Sequence, residues 1–272
     1  MDTNGIVVGY DGSPEARRAV DWAAAEATRI GRGLRIVTTY DITWPGAYYA
    51  AVAEQTEAAE QAAQALVTAI AAGVRQRQAT IHVEAVTAAS PAAATLLDHG
   101  DAGAHLLVVG NRGAGGLTNL LLGSVSQQVA THAKVPVAVV RGRPDPSVGP
   151  VVAGVDGSPS GDSALGLAFE AARSRGRVLV AIRAYPADGG NETLERAALE
   201  ESLTTWRHKY PDVPVAPQVA DGRPAAVLVD ASRTATLVVV GSRGHGGFTG
   251  LLLGSVGQQL MHHADCPVLI VH

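Results

Sequence analysis

Short apolar segments alternate with longer amphipathic segments along the whole chain. The short segments are rich in valine, leucine and isoleucine, as at 106–109 and 237–240, which is typical of strands buried on both faces of a parallel sheet. The longer segments carry apolar residues at helical spacing; in the first of them these are Ala16, Ala19, Val20, Ala23 and Ala27. The alternation therefore predicts an α/β fold whose parallel sheet has helices on both faces.

Each half of the chain contains the pattern of five strands and four helices. The predicted strands are 6–10, 34–40, 80–87, 105–109 and 136–141, followed by 151–155, 177–185, 213–219, 236–240 and 267–271. The predicted helices are 14–29, 54–75, 91–99 and 124–133, followed by 161–174, 192–209, 224–232 and 255–263. Ser13 precedes Pro14 and is expected to cap the first helix.

Two sequence motifs occur twice, which indicates an internal duplication. IVVGYDGSP at 6–14 recurs as VVAGVDGSP at 151–159, and GNRGAGGLTNLLLGS at 110–124 recurs as GSRGHGGFTGLLLGS at 241–255. A segment rich in proline and glycine separates the two copies. We therefore predict a first domain at 1–142, a linker at 143–150 and a second domain at 151–272.

The two motifs of each copy are expected to meet at one edge of the sheet. Right-handed crossovers place every strand-to-helix turn of a parallel sheet on the same edge. The turn that carries Asp11 and the loop that begins at Gly110 then open on that edge, as do the turn of Asp156 and the loop of Gly241. In a doubly wound sheet, ligands bind in the crevice where the strand order reverses. The sequence thus predicts one ligand pocket in each domain.

The chemistry of the glycine-rich loops indicates phosphate binding by main-chain N–H groups. Neither loop contains lysine, so neither is a P-loop, and GYDGSP after the first strand does not match the Rossmann pattern. The loops share the pattern Gly-x-x-Gly, nine residues, then Gly-Ser. The first two glycines of each loop permit positive φ and are expected to leave room for a phosphate, with the Gly-Ser pair beginning a helix.

At these residues the chain resembles the universal stress protein family, in the tandem-domain, ATP-binding form of mycobacteria and other actinobacteria. The family pattern, this loop together with an aspartate that ends the first strand, is complete in both halves. The resemblance implies two Rossmann-like domains of the adenine-nucleotide alpha hydrolase type. It further implies ATP, with Mg²⁺, as the ligand and backbone contacts to adenine near Gly9 and Thr39, or near Gly154 and Ala184.

The candidate binding residues follow from the loop pattern and from this resemblance. In the first domain they are Gly9, Asp11, Thr39, Val109, Gly110, Asn111, Arg112, Gly113, Ala114, Gly115, Gly123, Ser124, Val125 and Ser126. In the second domain they are Gly154, Asp156, Ala184, Val240, Gly241, Ser242, Arg243, Gly244, His245, Gly246, Gly254, Ser255, Val256 and Gly257.

Several of these side chains have two interpretations. Asp11 and Asp156 either hold Mg²⁺ or a ribose hydroxyl, or close their own turns. Ser124 and its counterpart in the second domain either contact a phosphate or cap the following helix. Arg112 and Arg243 are compatible with a phosphate clamp or with solvated surface arginines. Because His245 has an alanine as its counterpart, it cannot be required for a function that both domains share.

Nothing in the sequence resembles a catalytic triad at matched positions of the two copies, so we expect a nucleotide-dependent regulator in the stress response. The alternative is a slow ATPase or a nucleotidyl-transfer enzyme on the same fold. The net charge of −4 gives no reason to expect a nucleic-acid or membrane partner. The single cysteine and the absence of a signal sequence favour the cytoplasm. The resemblance also implies antiparallel pairing of the last strands of the two domains, and we expect a homodimer.

Overall fold

The computed structural model describes residues 4–40, 49–114, 122–143, 148–186, 190–244 and 253–272. The chain divides into two compact units, Met1–Val135 and Pro136–His272. Each unit is an α/β sandwich with a mostly parallel sheet, so the predicted fold class is confirmed. None of the helices in the described part of the chain combines the length and the apolar character that crossing a bilayer requires.

The first unit contains a parallel sheet of four strands in the order β3-β2-β1-β4. The strands are β1 (Ile6–Gly9), β2 (Leu34–Thr39), β3 (Val83–Ala88) and β4 (Leu106–Gly110). The helices of the described part are α1 (Pro14–Ile30), α2 (Tyr49–Arg77), α3 (Ala92–Asp101) and α4 (Ser124–His132). The chain leaves β1 toward β2 on one side and returns to β4 on the other, so the strand order reverses between β1 and β4.

The second unit repeats this arrangement and has one additional strand, in the order β5-β10-β9-β6-β7-β8. The strands are β5 (Val137–Val140), β6 (Val151–Gly154), β7 (Leu179–Tyr185), β8 (Val215–Asp221), β9 (Leu237–Gly241) and β10 (Val268–Val271). The helices of the described part are α5 (Pro159–Arg175), α6 (Glu192–Lys209), α7 (Pro224–Ser232) and α8 (Ser255–His263). Here the strand order reverses between β6 and β9.

The additional strand, β5, pairs antiparallel with β10, as expected for the last strands of the two copies. Val139 lies opposite Val268, and all four residues of β5 are buried. In the sequence repeat β5 is the last strand of the first copy, whereas the contacts of β5 place it in the second unit. The start of the predicted linker also packs there, because the Arg143 main-chain N–H donates to the Asp265 carbonyl oxygen at 2.9 Å.

Local sequence explains where the helices α1 and α5 begin and end. The hydroxyl of Ser13 accepts a hydrogen bond from the Ala16 N–H, and the hydroxyl of Ser158 does the same for Gly161. Both helices have proline in the first turn, where its missing N–H costs nothing. Each helix ends at a glycine in the left-handed conformation, which a residue with a Cβ adopts at a cost.

The core of each unit lies between the sheet and its helices. The central strands are almost completely buried: Val8, Leu107 and Val108 are inaccessible in the first unit, as are Val238 and Val239 in the second. Burial of both faces explains why these strands are continuous aliphatic runs in the sequence. Small alanines on α1 and α5 let these helices approach the sheet closely. The core therefore holds the carboxyl ends of β1, β4, β6 and β9 in fixed positions.

We predict that Gly73→Ala raises the free energy of unfolding by about 0.5–1 kcal/mol, because Gly73 lies inside α2 and alanine restricts the unfolded chain more than glycine does. The new Cβ would contact only the end of the flexible Arg77 side chain, at 3.4 Å. Urea titration measures the change. Gly142→Ala is the contrasting variant and should destabilise, since Gly142 has a φ of +78° and its Cβ would lie 2.1 Å from the Asp265 carbonyl carbon. An unchanged or lower stability of Gly73→Ala would contradict the prediction.

Candidate functional site

A cavity of about 410 Å³ opens in the first unit at the carboxyl ends of β1 and β4, where the strand order reverses. Its size lies within the range of small-molecule pockets. The predicted residues that line it are Gly9, Asp11, Thr39, Val109, Gly110, Arg112, Gly113, Gly123, Ser124, Val125 and Ser126. The structure thus brings the turn after β1 and the loop after β4 together, although about a hundred residues separate them in the chain.

Three predicted residues of the first site do not line this cavity. Asn111 contributes its carbonyl oxygen, which accepts a hydrogen bond from the Gly123 N–H at 2.8 Å and so fixes the start of α4. The Ala114 N–H bonds to Asp11. Gly115 lies outside the described residues.

The sequence interpretation missed the apolar part of the cavity wall. The additional lining residues are Tyr10, Ala16, Val37, Ala92, Leu96 and Leu122. Tyr10 and Leu122 could have been found from the sequence, because each is next to a predicted residue in the chain. Val37 and Leu96 look like ordinary core residues in the sequence, because their apolar character and spacing are those of any buried strand or helix position.

The carboxylate of Asp11 connects the two loops that form the polar side of the cavity. Its Oδ1 accepts a hydrogen bond from the Ser13 N–H at 3.0 Å, and its Oδ2 accepts one from the Ala114 N–H at 2.8 Å. The first contact closes the turn after β1, which is the structural one of the two interpretations left open by the sequence. The second contact reaches the glycine-rich loop. We call this pair of contacts the aspartate bridge.

The glycines of the loop are required for close packing, and they do not use the positive φ that glycine permits. Neither Gly110 nor Gly113 has φ in the left-handed region, and the same holds for their counterparts Gly241 and Gly244. A Cβ on Gly113 would lie 2.3 Å from Oδ2 of Asp11, and a Cβ on Gly110 would lie 2.9 Å from the Glu15 carbonyl. The missing side chains therefore make room for the carboxylate and for the start of α1.

The N-terminus of α4 faces this cavity without a side-chain cap. Gly123 is the N-cap residue and Ser124 is the first helical residue, so the N-capping interpretation of Ser124 was wrong. Among the described residues, no side chain caps the first turn by accepting a hydrogen bond. These N–H groups have no acceptor within a helix either, and the helix dipole makes this end positive. The start of α4 is therefore suited to an anion, and the exposed Ser124 hydroxyl lies beside it.

Ser126 has a different role from Ser124. It is buried, and its hydroxyl donates to the Gly110 carbonyl oxygen at 2.6 Å. This bond connects the first turn of α4 to the end of β4 and uses the single proton of the Ser126 hydroxyl. Its counterpart in the second unit, Gly257, has no side chain to make the same bond.

The second unit reproduces the geometry of the turn and the loop. Oδ1 of Asp156 accepts from the N–H and the hydroxyl of Ser158, at 2.9 and 2.7 Å. A Cβ on Gly244 would lie 2.6 Å from Oδ2 of Asp156, and one on Gly241 would lie 2.8 Å from the Gly161 nitrogen. The same glycine positions are thus required for the same two close approaches.

The start of α8 matches the start of α4. Gly254 is the N-cap residue of α8, and no described side chain caps this helix. The Gly254 N–H donates to the Ser242 carbonyl oxygen at 2.7 Å. Ser255 is exposed at the first helical position, so its capping interpretation was wrong as well. Val256 and Gly257 follow in the first turn of this helix.

The remaining predicted residues of the second site lie at the corresponding strand ends. Gly154 ends β6, where a Cβ would lie 2.8 Å from Leu228, as a Cβ on Gly9 would lie 3.0 Å from Leu96. Ala184 lies near the end of β7, and Val240 is buried in β9. His245 and Gly246 lie outside the described residues.

The two arginines within these loops differ in their contacts. Nη2 of Arg112 lies 3.4 Å from Oε1 of Glu15, an ion pair at the edge of the cavity. The position equivalent to Glu15 is Ser160, whose hydroxyl donates to the Arg243 carbonyl oxygen at 2.6 Å. Among the residues that the structure describes, the Arg243 guanidinium has no hydrogen-bond or ion-pair partner.

Other reactive groups do not form a second centre in the described part of the chain. Cys266 is fully buried, and burial raises the pKa of its thiol to about 12, so it is not a nucleophile at neutral pH. Burial, followed by the charge of Arg243, lowers the pKa of His272, so this imidazole is neutral at pH 7. No group of three or more histidine, cysteine or acidic side chains in the described ranges is placed to hold a metal ion.

Comparison with known proteins establishes the family. The model described as the Universal stress protein family matches residues 3–141 and 148–272. Over 98% of its length the chain is 37% identical to universal stress proteins of Mycolicibacterium smegmatis and Mycobacterium tuberculosis, covering 96% of each relative. The chain therefore belongs to the universal stress protein family and has its tandem-domain form, which confirms the resemblance seen in the motifs.

A solved structure shows the same fold over the whole chain. The crystal structure of a universal stress protein from Archaeoglobus fulgidus superimposes with a TM-score of 0.77, covering 100% of this chain and 99% of the other. The two sequences are 21% identical, so this likeness shows the fold alone.

Proposed function

We propose that the chain binds ATP, one molecule in each unit, and acts as a nucleotide-dependent regulator in the stress response. The observation that carries this proposal is the uncapped N-terminus of a helix, α4 or α8, beside a loop of bare main chain where the strand order reverses. Such a helix start offers N–H donors and a positive potential to a phosphate group.

The apolar and polar residues that line the cavity of the first unit are distributed as an adenine nucleotide requires. Its apolar residue Val37 belongs to β2, on one side of β1, and Leu96 of α3 lies over the end of β1 at Gly9. The glycine-rich loop and Ser124 belong to β4 and α4, on the other side. A flat apolar base is favoured on the first side and an anionic polyphosphate on the second. Adenine would then lie near Gly9 and Thr39, as the resemblance implies.

Each unit also has an aspartate beside the loop that would hold the proposed Mg²⁺. Carboxylates and phosphates are the usual ligands of this ion, and each unit offers one aspartate, Asp11 or Asp156, beside the loop. A single protein carboxylate fits an ion that reaches the site already bound to the phosphates. Without such a cation the aspartate would repel the polyphosphate.

We propose a binding function and not an enzymatic one. Phosphoryl transfer requires a group that positions the nucleophile and charges that stabilise the transition state. Around the described part of the first cavity the charged side chains are Asp11 and Arg112, each already bonded to a neighbouring residue. The bound nucleotide would act through its binding energy: a micromolar dissociation constant corresponds to about 8 kcal/mol, comparable with the stability of a domain.

The proposed regulator works in the cytoplasm as a homodimer. Light scattering at micromolar concentration, with and without ATP, is expected to give the mass of two chains. A mass of one chain under both conditions would remove the dimer from the proposal while leaving nucleotide binding intact.

Gly113→Ala and Gly244→Ala are expected each to remove one of two bound nucleotides. The new Cβ displaces the carboxylate of Asp11 or Asp156, which lies within 2.6 Å of it, and so disturbs the loop. Loss of one hydrogen bond to a charged group weakens binding at least about tenfold. The measurement is equilibrium dialysis with labelled ATP and Mg²⁺, combined with chromatography of the nucleotide released when the protein is denatured.

Gly73→Ala is the matched control, because it adds the same methyl group inside α2, where it would contact only Arg77, and should still bind two molecules. Recovery of intact ATP supports a regulator, whereas recovery of ADP with turnover supports the slow ATPase. Absence of any bound nucleotide in the unaltered chain would refute the proposed function.

A further inference from the structure

The two units differ in charge beside their corresponding loops. Glu15 lies four residues after Asp11 on α1, and Ser160 lies four residues after Asp156 on α5. Both positions contact the residue that precedes the second glycine of the loop, Arg112 in one unit and Arg243 in the other. The duplicated scaffold therefore presents the same arginine in two electrostatic environments.

In the first unit the arginine is held by the acidic side chain. Oε1 of Glu15 lies 3.4 Å from Nη2 of Arg112 and 3.5 Å from Nη2 of Arg18. The Glu15 side chain is 19% exposed, which places its negative charge close to the cavity edge and only partly in solvent. The positive charge of Arg112 is thus offset before any ligand arrives.

In the second unit a hydroxyl group holds the loop without neutralising its charge. The hydroxyl of Ser160 donates to the carbonyl oxygen of Arg243 at 2.6 Å, while that of Ser158 donates to Oδ1 of Asp156 at 2.7 Å. The guanidinium is exposed, and within the described part of the chain it has no hydrogen-bond or ion-pair partner. The main chain of the loop is anchored while the cation beside it remains available.

The formal charges show the size of the difference. Glu15 places one negative charge 3.4 Å from Arg112 and 3.5 Å from Arg18, whereas the equivalent Ser160 places none beside Arg243. His272, near Arg243, does not alter this balance at neutral pH because its imidazole is uncharged. One unit of charge beside a bound nucleotide interacts with each of its phosphate charges. Its effect on the Coulomb energy is therefore larger for a triphosphate than for a monophosphate.

We propose that Glu15 and Ser160 set the charge preference of the two sites, so that the second site is selective for the nucleoside triphosphate and the first discriminates less between triphosphate and monophosphate. This inference rests on the proposed function, because it requires that both units bind adenine nucleotides. It gives the two copies different tasks: the second responds to the triphosphate, and the first responds to the adenine nucleotide whatever its degree of phosphorylation.

The test compares ATP with AMP at one site at a time in the full-length chain. Gly244→Ala isolates the first site and Gly113→Ala isolates the second, and calorimetry gives both dissociation constants. In the Gly244→Ala background, Glu15→Ser should raise the preference for ATP over AMP by about five- to tenfold. In the Gly113→Ala background, Ser160→Glu should lower it by a similar factor. Both changes should shrink at high salt, because exposed charges are screened.

Glu15→Gln separates charge from packing, since it keeps the size and a hydrogen-bond acceptor but removes the charge. It should match Glu15→Ser in the ratio of ATP to AMP affinity; a ratio like that of the unaltered Glu15 would overturn the proposal. Preferences equal within about twofold in all variants would overturn it too, while leaving nucleotide binding in place. Absence of binding by the unaltered chain would refute the proposed function and this inference together.

Discussion

The contact between an aspartate carboxylate and the glycine-rich loop is the constraint on which the site depends. In the first unit Asp11 accepts hydrogen bonds from its own turn and from the Ala114 N–H, so it joins two segments that meet only in the folded chain. The carboxylate fits because Gly113 has no side chain. With this loop fixed, the start of α4 opens toward the cavity with its N–H groups unpaired. In the second unit the same close approach recurs between Asp156 and Gly244.

Much of the fold could be predicted from the sequence because its signals are local. Helix α6 has the predicted bounds, Glu192–Lys209, since an asparagine cap and charged residues mark its ends. Strand β3 begins three residues later than predicted, at Val83, because its start is set by pairing with Leu34 on β2 and not by its own composition. The role of the loop glycines was missed for a similar reason: what they approach lies about a hundred residues away in the chain.

Duplication preserved the scaffold and allowed the two sites to diverge. The helix starts, the aspartates and the glycine positions correspond between the units, whereas Glu15 is replaced by Ser160 and Ser126 by Gly257. The Ser160 hydroxyl anchors the main chain of the second loop, so the first replacement alters the charge beside the site and keeps its framework. A tandem member of the universal stress protein family can in this way carry two versions of one candidate site.

The measurement that tests the account most directly is a crystal structure of the chain grown with ATP and Mg²⁺. The account predicts a nucleotide in each unit, with phosphate oxygens bonded to the first-turn N–H groups of α4 and α8 and with adenine on the β2 or β7 side. A nucleotide bound elsewhere, or one whose phosphates lie in solvent while the helix starts bind nothing, would contradict it.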